Sequence, residues 1–169
     1  VSRGYFVIYF SMLVITNAVL MLGHASNYKA AWIYRIFPFK DFRALKKGSL
    51  KAFLIKLYLP LYIVLSIIFC FIYGTRIIPD LLAIFVTSWL YTVICYIGYG
   101  NNMPFSKPFN EISDSQGWKS LVLMIPVAIL AGVHYFFVSK IAYGAIIYLV
   151  VIAIINVIVW RIVFHRGER

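Results

Sequence analysis

The stretch "YFVIYFSMLVITNAVLML", residues 5–22, contains no charged side chain and only three polar ones, Ser11, Thr16 and Asn17. As a helix it approaches the thickness of a hydrocarbon core, which takes about 20 residues. Four further apolar runs have similar length: about 53–73 with Pro60, 77–99, 121–138 with Pro126, and 142–164. Apolar residues surround each run on all sides, so length rather than periodicity carries the assignment. The expected fold class is all-α: a polytopic integral membrane protein with about five spans forming one transmembrane domain over residues 1–169.

Composition agrees. The chain is 63% hydrophobic and 12% charged, with a mean hydropathy of +0.91. Soluble domains are about half apolar and a quarter charged. Cys70 and Cys95 both lie inside apolar runs, with no redox or metal-ligand spacing, and are expected to be inert buried or lipid-facing thiols. The first run is too long for a signal peptide and lacks a small-residue cleavage pattern. The sequence begins on Val1, from which the expectation is the later part of a longer chain.

The net charge of +11 is unevenly placed. One set of alternate connections holds Lys29, Arg35, Lys40, Arg43, Lys46, Lys47 and Lys51, then Lys107 and Lys119, then Arg161, Arg166 and Arg169. The other holds Arg3, Arg76 and Lys140. Five crossings produce this alternation, and Lys/Arg-rich loops face the cytoplasm. The segment 23–52 is therefore expected to be cytoplasmic, with Lys56 snorkelling toward it.

The basic segment contains "WIYRIFPFKDFRALKKGSLKAF", residues 32–53. A short helix capped by Ser26 or Asn27 is expected to end at Pro38, and a second helical piece to lead into the next span, with Gly48 marking a bend or a close backbone approach. Three readings compete for the charge: nucleic acid, anionic lipid headgroups, or a soluble partner. An adjacent bilayer competes for the same cations and no recognition module is present, so nucleic acid is set aside. Charge alone then means topology and contact with anionic lipid at about 1 kcal/mol per cation.

The order of residues adds to this. "AAWIYRIFPFKDFRALKKGSLKAFLIKLYLPLYI" resembles the cytoplasmic connection of ABC exporter permeases. In that family an apolar-aromatic run ends at a Pro, basic residues follow, and a Gly and a Lys open the next span. Pro38, Lys40, Arg43, Gly48 and Lys51 fall on that order, although Ser49 and Leu50 separate a Gly and Lys that are commonly adjacent. The remaining spans and the "PFSKPF" loop also resemble bacterial exporter permeases, which implies the bacterial cytoplasmic (inner) membrane as the location. The resemblance implies a coupling segment seated on a separate ATPase subunit, with Trp32, Arg35, Phe37, Pro38, Phe39, Lys40 and Arg43 as docking residues. It also implies a second permease copy or half. No phosphate-binding GxxxxGK[ST] motif occurs, so any ATPase is another polypeptide or domain. The competing reading is a non-catalytic structural or assembly subunit of a larger membrane complex.

Polar groups inside apolar spans are functional candidates, because hydrocarbon leaves them unpaired at a cost. Asn17, His134 and Asn156 lie deepest and are candidates for helix packing or a substrate path. Asn17 and Asn156 are expected to join helices by hydrogen bonds. His134 is expected to make a structural hydrogen bond with no embedded carboxylate beside it. Arg76 and Asp80, one turn apart, are expected to pair at the interface. Pro60 and Pro126 are expected to kink their spans. The five acidic residues form no catalytic pair, and His24, His134 and His165 lack metal spacing. No enzymatic activity and no cofactor are expected of this chain.

Overall fold

A computed structural model describes residues 4–26, 29, 42–99, 105–108 and 114–165, with side chains over 117–164 in the last segment. Five helices dominate: α1 (Gly4–Leu22), α2 (Phe42–Tyr73), α3 (Thr75–Gly98), α4 (Asp114–Lys140) and α5 (Gly144–His165). Among the described residues there is no strand, only an isolated bridge between His24 and Lys107. All five helices are long and apolar enough to cross a membrane, α4 over Gly117–Lys140.

The first eight residues of α1, Gly4–Ser11, wind as a 3-10 helix before the α-helix Met12–Leu22. The steeper rise of that winding, about 2.0 Å per residue, lengthens α1 to roughly 32 Å. Helix α2 begins eleven residues before the expected start of the second span. It runs as α-helix over Phe42–Phe53, as a π-helix over Leu54–Tyr58, and as α-helix again to Tyr73. The wide turn follows from Pro60, which has no N–H and whose ring would collide with the carbonyl four residues back. Gly48 sits inside this continuous helix, and a Cβ there would meet nothing within 4 Å. The bend or close approach expected at Gly48 is absent; the irregularity lies one to three turns later, where proline forces it.

Helix α3 is the centre of the bundle. Of its most apolar window 61% is buried inside the protein, against 11% for α2 and α4. Ala83, Thr87, Ser88, Thr92 and Cys95 line its buried surface, small side chains that let neighbouring backbones come close. Pro79 falls in the first turn of the α-helical part, as its missing N–H favours. Tight connections join α2 to α3 through Gly74 (φ 81°) and α4 to α5 through Tyr143 (φ 58°). A Cβ on Gly144 would collide with the Phe137 carbonyl, so glycine is required where the chain doubles back.

Contacts at the two ends define the alternation. At one end, Phe105 N–H donates to Leu22 O and Ala25 N–H to Lys107 O, each 2.9 Å, bringing the chain after α1 against the chain after α3. At that same end the ring of Tyr96 stacks on Phe164, and Lys51 Nζ lies 5.8 Å from the Trp160 ring. At the other end Tyr5 meets Tyr73 edge-on. Lys47, Lys51, Lys107 and Arg161 thus gather at one end, as the charge asymmetry predicts.

Candidate functional site

The end opposite the basic cluster contains an inward-facing carboxylate–imidazole pair. Asp80 stands in the first turn of the α-helical part of α3, where the helix dipole favours a carboxylate. Ala83, Ile84 and Thr87 follow it at three, four and seven residues, and all are buried. Asp80 shares their face and is only 6% exposed. Directly opposite is His134 of α4, fully buried. Its Nε2 lies 3.2 Å from Asp80 Oδ1. The approach is close but poorly aligned, and neither atom completes a hydrogen bond.

This overturns two expectations. His134 does have a carboxylate beside it, and Asp80 turns away from Arg76, which is exposed. Among the described residues no ion pair joins Asp80 to Arg76. The Pro-Asp start of a helix reads as an interface anchor when only neighbours in sequence are considered. The available signal was the register of Asp80 with the small residues Ala83 and Thr87, which places it on the packed face.

The imidazole is the meeting point of four helices. Tyr9 of α1 brings its hydroxyl 3.0 Å from His134 Nδ1. Tyr148 of α5 stacks on the ring at 4.4 Å between centroids, with planes 14° apart. Phe6 covers another side at 5.1 Å. Thr87 Oγ1 donates to Ala83 O at 2.8 Å and lies 3.2 Å from the Tyr148 hydroxyl, which in turn reaches Leu130 O at 3.4 Å. Nδ1 accepts from the Tyr9 hydroxyl or donates to its oxygen, according to the imidazole tautomer.

A second set of bonds ties the middle of the bundle. Tyr91 of α3 donates to Leu123 O at 3.0 Å, so Thr16 of α1 donates to the Tyr91 oxygen at 2.6 Å. Asn156 Nδ2 donates across to Val86 O at 2.8 Å, joining α5 to α3. Asn17, expected to join helices, is exposed and donates to Leu13 O of its own helix at 3.1 Å. Cys70 and Cys95 are free thiols.

At the basic end, the first turns of α2 are amphipathic: Leu50 and Leu54 are buried while Phe42, Arg43 and Lys51 are exposed. The expected docking residues Trp32, Arg35, Phe37, Pro38, Phe39 and Lys40 lie outside the described residues; only Arg43 falls within them. Among the described residues no group of three His, Cys, Asp or Glu side chains could hold a metal ion. No protein-family model, curated protein or solved structure matches this chain. Fold and site together define a helical bundle with a basic end and a buried carboxylate–imidazole pair near the other.

Proposed function

We propose that the chain is an integral membrane protein, its basic end on the cytoplasmic side, and the permease subunit of an ATP-driven exporter of the ABC type. The observation that carries this reading is the continuity of α2. One helix joins the basic turns around Arg43 to the apolar rod ending at Tyr73. A soluble ATPase seated on the basic segment would act on a lever that reaches the far side. Along its length α2 is fastened by Tyr58, whose hydroxyl is 3.0 Å from Ser11 Oγ, and by Tyr62, which donates to Leu81 O at 2.8 Å. Force on α2 would therefore reach α1 and α3, the helices that carry Tyr9 and Asp80. Closure of paired ATPases would rock such a bundle between inward- and outward-facing states.

The sparsely covered faces of α2 and α4 suit lipid and a second permease copy or half. They favour equally the other reading, a structural or assembly subunit of a larger membrane complex. The test is purification from native membranes in mild detergent, comparing wild type with Arg35→Glu/Lys40→Glu/Arg43→Glu. The exporter reading expects a nucleotide-hydrolysing subunit to travel with the wild type and to be lost from the variant. A wild-type preparation that resists alkaline extraction from the membrane yet holds no such subunit overturns it in favour of the structural role.

A further inference from the structure

A cleft of about 440 Å³ opens between α2, α3 and α5 at the basic end. Its mouth is cationic. Lys47 and Lys51 lie one turn apart on a single face of α2, and Arg161 of α5 completes the set. No described acidic residue lines the cleft, and none of these three cations has a carboxylate within ion-pairing distance among the described residues. Three like charges converging without a counter-ion repel one another, and an anion between them removes that repulsion.

Apart from Asn156, the body of the cleft is apolar, walled chiefly by Phe85, Val86, Trp89, Val157 and Trp160. Lys51 Nζ sits 5.8 Å from the centroid of Trp160, within reach of a cation–π interaction. The indole N–H groups of Trp89 and Trp160 are both buried without an acceptor. Buried donors are normally paired, so the wall is polar-incomplete beside its cations. A free phosphate would satisfy the mouth and leave the apolar walls uncovered. An uncharged lipid would cover the walls and leave the cations uncompensated.

We infer that this cleft is a specific site for one anionic phospholipid, its phosphodiester held by Lys47, Lys51 and Arg161 and an acyl chain lying against Phe85 and Val157. The inference rests on the membrane reading of the chain and not on its being a permease. An occupant there bridges the start of α2 to the end of α5, stiffening the junction between the basic turns and the bundle.

Trp89 and Trp160 are built-in reporters. With Trp32 and Trp118 replaced by Phe, they become the only tryptophans of the chain. The protein is reconstituted into phosphatidylcholine bilayers, and brominated-acyl phosphatidylglycerol or brominated-acyl phosphatidylcholine is titrated in. Half-maximal quenching is expected at about tenfold lower mole fraction of the anionic lipid. Lys47→Gln/Lys51→Gln/Arg161→Gln should abolish that preference, whereas Lys140→Gln at the opposite end should leave it intact. Ala153→Trp is avoided as a new fluorophore; Ala153→Phe fills the cleft, keeps the cations, and should remove the quenching advantage by itself. Equal quenching by the two lipids in the wild type overturns the site, as does a preference that survives both the triple variant and Ala153→Phe. Competition by soluble glycerol phosphate at concentrations comparable with the lipid would overturn the acyl-chain assignment. Failure to remain in the bilayer on alkaline extraction would instead defeat the membrane reading on which the site depends.

Discussion

Removing the imidazole from the four-helix junction tests whether Asp80 and His134 act as a pair. His134→Leu leaves the Asp80 carboxylate, 6% exposed, without the imidazole facing it, and removes the ring nitrogen that Tyr9 meets. With the imidazole protonated, the charges 3.2 Å apart would attract by about 5 kcal/mol gross at an effective dielectric of about 20. Desolvation offsets much of this, so breaking one partner of a buried pair typically costs about 3–5 kcal/mol. The misaligned contact and the residual exposure of Asp80 place the expected loss near the lower figure, about 3 kcal/mol. Asp80→Asn keeps the shape and removes the charge, at an expected cost of about 1–3 kcal/mol. The double variant should cost less than the sum by about 2 kcal/mol, above the roughly 1.7 kcal/mol maximum measured for hydrogen bonds between membrane helices. Reversible unfolding in mixed micelles, followed by tryptophan fluorescence and helical circular dichroism, measures the cycle. Additivity within about 0.5 kcal/mol would show that the two groups do not interact and refute the reasoning.

Glycine substitutions separate turn requirements from helical ones. Gly48→Ala should stabilise by about 0.5–1 kcal/mol, because the site is an open helical position; destabilisation in the same unfolding assay would show that the backbone there must depart from helix. Gly144→Ala should destabilise by about 1–3 kcal/mol, since its Cβ meets the Phe137 carbonyl rather than a side chain that can move. Asn156→Ala frees the Val86 carbonyl and should cost about 1 kcal/mol, read from the same curves. Lys46→Cys should react with a membrane-impermeant thiol reagent only after the cell is opened, and labelling of intact cells would reverse the proposed orientation.

The number of long apolar helices and the end at which the cations gather were legible in the sequence. Both depend on one-dimensional quantities: the length of an apolar run and the order of Lys and Arg along the chain. The π-turn was half legible, because Pro60 announces an irregularity but not the widened turn at Leu54–Tyr58 that absorbs it. Helix α2 starts earlier than its apolar run because Arg43–Lys51 can be helical and amphipathic at once, burying Leu50 while its cations stay in water; hydropathy alone ends the span at Phe53.

Which polar groups meet is settled by the packing of the helices against one another. Asp80 and His134 are 54 positions apart and belong to different helices, and nothing in either run points to the other. Rotation of a helix about its axis decides whether a side chain faces a neighbour or the surroundings, and in runs that are apolar all round the sequence pattern leaves that rotation undetermined. The rotation is set by packing against α3, whose small residues let α1, α4 and α5 approach it. That packing turns Asp80 inward to the imidazole, turns Asn17 out, and assembles the cation-rimmed cleft from residues more than a hundred positions apart.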